Sequence, residues 1–175
     1  MASIGHLAVG MAFGRAFTKD RALARKAAIA FAAVSIWPDI DALGFVFGVD
    51  YADPLGHRGA THSLLVAAFV GLCSYAVAVR EKLPRARTAV FTTVVAASHG
   101  LLDTMTYGGG LGCALGWPLS NARVWAPSVL RVIPIAPIGL RLLSPRGLKV
   151  MLTEVVLFAP FWIYAIWPRR KPATG

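Results

Sequence analysis

Apolar residues in this chain come in long stretches, and most polar residues fall between them. The stretches cover 2–17, 27–37, 64–79, 88–107 and 150–167. None alternates strictly as a half-buried strand would, so each predicts a helix. A helix that spans a bilayer takes about 20 residues. Several of these runs are shorter, which predicts tilt, local thinning or partial insertion. Small residues at Ala2, Gly5, Gly10 and Gly14 mark the first run as one that packs closely on a neighbour. The second run ends in Pro38-Asp39-Ile40-Asp41, where proline predicts a bend that presents both aspartates. Residues 42–56 are mixed, and Asp50 and Asp53 are expected as loop residues. After Gly108-Gly109-Gly110, residues 108–149 are rich in Gly and Pro. Amphipathic pieces at 129–143, with Arg131, Arg141, Arg146 and Lys149 nearby, predict an interfacial segment rather than a further span. The pattern predicts an all-α, integral membrane helical bundle of about five transmembrane helices, with a long interfacial loop before the last. It forms a single domain over 1–175, without internal repeats or low-complexity tracts.

Composition agrees. The 175 residues are 57% hydrophobic and 15% charged, with a mean hydropathy of +0.62. A soluble domain averages about 25% charged residues. The net charge of +10 does not point to nucleic acid, because the basic residues cluster between apolar runs. There they suit anionic lipid headgroups, so the expected partners are membrane lipids and no nucleic acid. Cys73 and Cys113 have no metal spacing and read as ordinary small residues, with a disulfide between them left open. The first charged side chain is Arg15, which is unlike the basic start of a cleaved signal, so the first segment is expected to be retained.

Charge also predicts orientation. With five spans, twelve of the eighteen basic residues share one side, in the turns 15–26 and 80–87 and in the tail Arg169-Arg170-Lys171. The other six are Arg58, Arg123, Arg131, Arg141, Arg146 and Lys149. The positive-inside rule puts the twelve in the cytoplasm and the N-terminus outside.

On this map, ionisable residues gather at one end. His6 lies near the outer end of the first helix, Asp39 and Asp41 at the end of the second, and His57 and His62 at the start of the third. His99 and Asp103 occupy the outer half of the fourth, and Glu154 the outer part of the fifth. Taken singly, His6 can be an interhelical contact, the two aspartates a solvated helix end, and Glu154 a partner of Arg146 or Lys149. Taken together, ionisable groups are too costly in a membrane to converge without use. His99 and Asp103, at i and i+4, share a helical face. His and Asp without thiolates suit zinc, or manganese or iron. The candidate metal ligands are His6, Asp39, Asp41, His57, His62, His99 and Asp103. Seven ligands exceed what one catalytic zinc takes, which allows two ions. Arg58 is a candidate clamp for an anionic substrate group and Glu154 a candidate general base or further ligand. Metal-activated water leaves Thr61 and Ser63 as supporting or capping groups. The rival reading is a divalent metal or proton transporter using the same cluster, but the inner halves of the runs carry hydroxyls and no charges between their ends. A third, an adaptor using its basic turns on acidic partners, leaves the ligands idle.

These residues carry a family resemblance over most of the chain. An early His6, Pro38-Asp39-Ile40-Asp41, His57-Arg58-Gly59-Ala60-Thr61-His62-Ser63 and Ser98-His99-Gly100-Leu101-Leu102-Asp103 occur in order. They are followed by Trp117-Pro118-Leu119-Ser120, Ile133-Pro134-Ile135-Ala136-Pro137-Ile138-Gly139, Ser144-Pro145-Arg146-Gly147-Leu148 and Glu154. The set resembles membrane-bound metal-dependent hydrolases typified by a LexA-regulated bacterial inner-membrane protein. Asn121 stands where that family often has an acidic residue. The resemblance implies a hydrolase in a prokaryotic cytoplasmic membrane, and the charge pattern puts its site on the outer side. A looser similarity of ligand types to zinc-dependent phospholipases C implies a phosphoester or lipid substrate.

Overall fold

The computed structural model describes residues 3–137 and 139–168. It is mostly helical. In order come α1 (Ile4–Phe17), α2 (Arg21–Ile36), α3 (Leu64–Arg80), α4 (Arg85–Thr104), α5 (Pro145–Leu157) and α6 (Ala159–Ile166). Two short strands, β1 (Thr106–Tyr107) and β2 (Ile133–Pro134), pair in parallel. Local signals explain the helix starts. Asp20 caps α2 by accepting from the Leu23 N–H at 2.7 Å, Ser63 caps α3 through Val66, and Ser144 caps α5 ahead of Pro145.

Small residues set the packing. A Cβ on Gly10 would lie 2.4 Å from the Phe31 carbonyl, and one on Gly14 would lie 2.2 Å from the Ala28 Cα. α1 and α2 therefore meet backbone to backbone. Beside them Phe13, Phe17, Phe31 and Phe91 pack around Val95, largely edge to face. The molecule is inverted relative to a soluble domain. Ile29, Phe69, Leu72 and Ile166 are all more than 60% exposed, whereas His6, Arg58, His99, Asp103 and Glu154 are at most 1% exposed. An apolar exterior around a polar centre is what a hydrocarbon solvent selects.

Several boundaries differ from the sequence reading. Pro38 does not turn the chain away. The helical run continues past it as a 3-10 segment, Trp37–Phe47, with the proline in the first turn of that segment. The whole run Arg21–Phe47 has 27 residues and is the one helix among the described residues long and apolar enough to cross a membrane by itself. The last apolar stretch is two helices bent by 64°, and together they meet the same test. The bend falls at Phe158, two residues before Pro160, whose ring and missing N–H forbid continued α-helical bonding. α3 is apolar but shorter, at 17 residues.

The loop after α4 holds no amphipathic α-helix among its described residues. It folds back over the ends of the helices instead. The β1–β2 pair, an antiparallel bridge between Cys113 and Val124, and bonds from Leu64 N to Leu115 O and from Ala126 N to Thr104 O tie it down. Two 3-10 turns, Ser128–Leu130 and Gly139–Leu143, replace the expected amphipathic pieces. Cys73 is exposed on α3 and Cys113 is buried in this loop, and both are free thiols. Ala2, Ile138 and the Arg169-Arg170-Lys171 tail, used above for packing, motif and charge, lie outside the described residues.

Candidate metal centre

Three elements bring the four ligands together. Asp39 comes from the 3-10 extension of α2, His62 from a second 3-10 segment (Ala60–His62) ahead of α3, and His99 and Asp103 from one face of α4. One ligand atom from each of these four lies within 4.8 Å of every other. The close approach of His62 to α4 depends on Gly100, where a Cβ would stand 2.3 Å from the His62 carbonyl.

Hydrogen bonds fix which ring nitrogens face inward. The Nδ1 of His99 is 2.6 Å from the Ser35 carbonyl, which can only accept, so Nδ1 carries the proton. The Nδ1 of His62 is 3.1 Å from Asp41 Oδ2 and is set the same way. In the neutral rings both Nε2 atoms then present lone pairs, and they are 3.0 Å apart. Asp39 Oδ1 lies 3.3 Å from His99 Nε2 and 3.9 Å from His62 Nε2, with Asp103 Oδ2 3.7 Å from the latter. Two facing lone pairs and two carboxylates form a donor set of the kind that holds a divalent cation. Burial pushes His62 below the ordinary histidine value even though Asp41 pulls the other way, which favours the neutral, ligating imidazole.

Asp41 stands one step further out. Its carboxylate accepts from Thr61 Oγ1 at 2.5 Å and from the Arg58 N–H at 3.1 Å, and it is 2.7 Å from His57 Nδ1. Asp41, His57 and His62 form a second group with metal-ligand spacing, and His62 belongs to both groups. His6 stacks on the His99 ring at 3.7 Å and approaches Asp103 at 3.4 Å, and its buried Nδ1 has no hydrogen-bond partner.

Arg58 and Glu154 are placed differently from the ligands. Arg58 is buried, with Nε 2.9 Å from Asp103 Oδ2, Nη1 donating to the Leu111 carbonyl and the guanidinium over Trp125. Burial alone would weaken its charge, but the Asp103 carboxylate together with Tyr51, Cys113 and Asp39 outweighs it and raises its pKa. Its backbone has φ 64°, a left-handed turn that swings His57 back toward Asp41. Glu154 lies in neither ligand group. Its Oε2 accepts from the Gly5 N–H at 3.1 Å, at the start of α1, where Ser3 makes no side-chain cap and donates to Asp39 instead.

Other contributors escaped sequence reasoning. Ser35 acts through its carbonyl, for which no sequence signal exists. Arg123 donates to the carbonyls of His57, Tyr51 and Asp53, and so clamps the histidine loop from the returning segment. A lone arginine in a Gly/Pro-rich loop is a faint signal of such a clamp. The centre opens on a cavity. Asp39 is its most exposed member, with 27% of its side chain accessible. It borders a cavity of about 780 Å³ whose wall includes His57, Tyr51, Gly108–Gly110, Ile135 and Arg141.

A helical molecule, apolar outside and polar at its centre, with buried His and Asp side chains spaced to hold a metal ion, is the class that fold and site define. The YdjM inner membrane protein family matches residues 1–171, and the chain belongs to that family. It is also 37% identical over 149 residues, covering 79% of this chain and 81% of the relative, to the inner membrane protein YbcI of Escherichia coli strain K12. The bacterial inner membrane is thus its location. No solved structure gives a significant match.

Proposed function

We propose that the protein is a membrane-embedded, metal-dependent hydrolase of phosphoesters, with a lipid as substrate class, whose helices cross the bilayer about five times. In this reading α1, α2 with its 3-10 extension, α3, α4 and the bent α5–α6 pair are the crossings. The centre then faces the outer side and the basic turns face the cytoplasm. One observation carries the reading: the Nε2 atoms of His62 and His99 converge at 3.0 Å between two carboxylates, each with its Nδ1 already engaged.

The same observation favours one ion over two. A neutral imidazole has a single lone pair, so His62 cannot serve both groups at once. Asp39, His62, His99 and Asp103 are the proposed ligands of that ion, of which zinc suits the donors best. Asp41 then orients His62 and His57, and His6 braces His99 by stacking. A divalent ion held there supplies a Lewis acid for a phosphoryl oxygen and for water. The chain supplies the rest. His57, with Nδ1 on Asp41, keeps its other nitrogen available for a proton beside the cavity. Arg141 at the cavity wall is better placed than the buried Arg58 to draw in an anionic headgroup. Glu154 fixes the start of α1, and through it the position of His6. The transporter reading has less support, because the aromatic cluster of Phe13, Phe17, Phe31 and Phe91 is packed on the inner side of the site.

The test is phospholipid hydrolysis by detergent-purified protein. Turnover that stops on chelation, returns with zinc and disappears in His62→Ala is the expected result. Metal-dependent flux into proteoliposomes without any turnover would replace the reading with transport.

A further inference from the structure

The end of the bundle opposite the metal centre carries a second feature. Between α1, α2 and the last turn of α6 runs an open groove of about 690 Å³. Its floor is apolar, formed largely by Met11, Ala28, Ala32 and Ala165, and its mouth is ringed by Arg15, Arg21 and Arg25. Arg21 and Arg25 are exposed and lie at i and i+4, on one face of α2. Arg15 closes α1, with its guanidinium 5.2 Å over the Tyr164 ring and bonded to the Trp167 carbonyl. The groove has a sequence cause: glycines on α1 draw α2 in, and alanines on the facing side of α2 leave a trough that α6, only eight residues long, does not fill.

We propose that this groove binds one anionic phospholipid, with the phosphate held by Arg15, Arg21 and Arg25 and the first part of an acyl chain on the alanine floor. Charge complementarity picks the headgroup, because three guanidiniums in one mouth match a phosphate of net negative charge better than one offset by its own headgroup cation. The floor selects a lipid over free phosphate, since a water-soluble anion gains nothing from it. The site is separate from the metal centre and stands whether or not that centre is catalytic.

Native mass spectrometry of the full chain, released from nanodiscs of phosphatidylglycerol or of phosphatidylcholine, tests it. One phosphatidylglycerol is expected to stay bound, with no retained phosphatidylcholine. The double variant Arg21→Gln/Arg25→Gln leaves Arg15 and its carbonyl bond intact, and it should lower retention at least tenfold. Ala165→Leu fills the floor without changing charge and should also lower it, whereas the control Arg80→Gln/Lys82→Gln/Arg85→Gln and chelator treatment should not. Equal losses in the groove and control variants would mean a general anionic annulus and would overturn the proposal. Displacement by millimolar inorganic phosphate, or full retention in Ala165→Leu, would do the same.

Discussion

Asp41 shows how a residue that touches no ion in the proposed centre can govern one. It receives Thr61, the Arg58 N–H and the Nδ1 atoms of His57 and His62, and this settles the inward-facing nitrogen of His62. Carboxylates that orient a ligating histidine in this way typically contribute 10–100-fold in metal affinity. Asp41→Asn should therefore weaken zinc binding by about that factor while leaving helical content unchanged, as measured by competition with a zinc chelator and by circular dichroism. An unchanged affinity would remove Asp41 from the centre. At this scale the sequence was partly readable. Ionisable side chains stand out in apolar runs, so His6, Asp39, Asp41, His57, His62, His99 and Asp103 could be picked as a set. Their division of labour could not, because it turns on a hydrogen bond that the Ser35 carbonyl accepts and on a left-handed turn at Arg58, neither of which has a side-chain signature.

Between elements, backbone proximity makes the site. The 3-10 segment bearing His62 rests on α4 where Gly100 has no side chain, next to the His99 it must meet. Gly100→Ala puts a methyl 2.3 Å from the His62 carbonyl, and one of the two elements must shift. Since binding geometry tolerates errors of about 0.5 Å, the expected result is at least a tenfold loss of metal affinity with the bundle still folded. Metal titration beside thermal unfolding measures both, and a variant that binds as wild type would show that this approach does not set the centre. The helices themselves were largely readable from the apolar runs, although α2 and α5 start earlier than those runs, behind the caps Asp20 and Ser144. The 3-10 continuation past Pro38 was not, because a proline in the first turn of a helix and one after its end look alike in sequence. The folding of residues 108–144 over the helix ends was not either, since its bonds are mostly backbone bonds between distant residues.

For the whole molecule, the inverted distribution of polarity fits the inner membrane location of the family, and the proposed orientation can be checked directly. In a background lacking native cysteines, Leu119→Cys on the returning loop should react in intact spheroplasts with a membrane-impermeant maleimide, and Lys82→Cys only after lysis. The reverse pattern would invert the orientation. Native thiols report packing. Cys113 is fully buried and its pKa is pushed up by burial to about 12, so a membrane-permeant maleimide should label exposed Cys73 and spare Cys113 until the protein unfolds. The central claim is that four side chains from three segments hold a single divalent ion, and elemental analysis of detergent-purified protein tests it most directly. The account predicts about one zinc per chain, falling below a tenth in His62→Ala and in Asp103→Ala. Two ions per chain, or metal content unchanged in both variants, would contradict it.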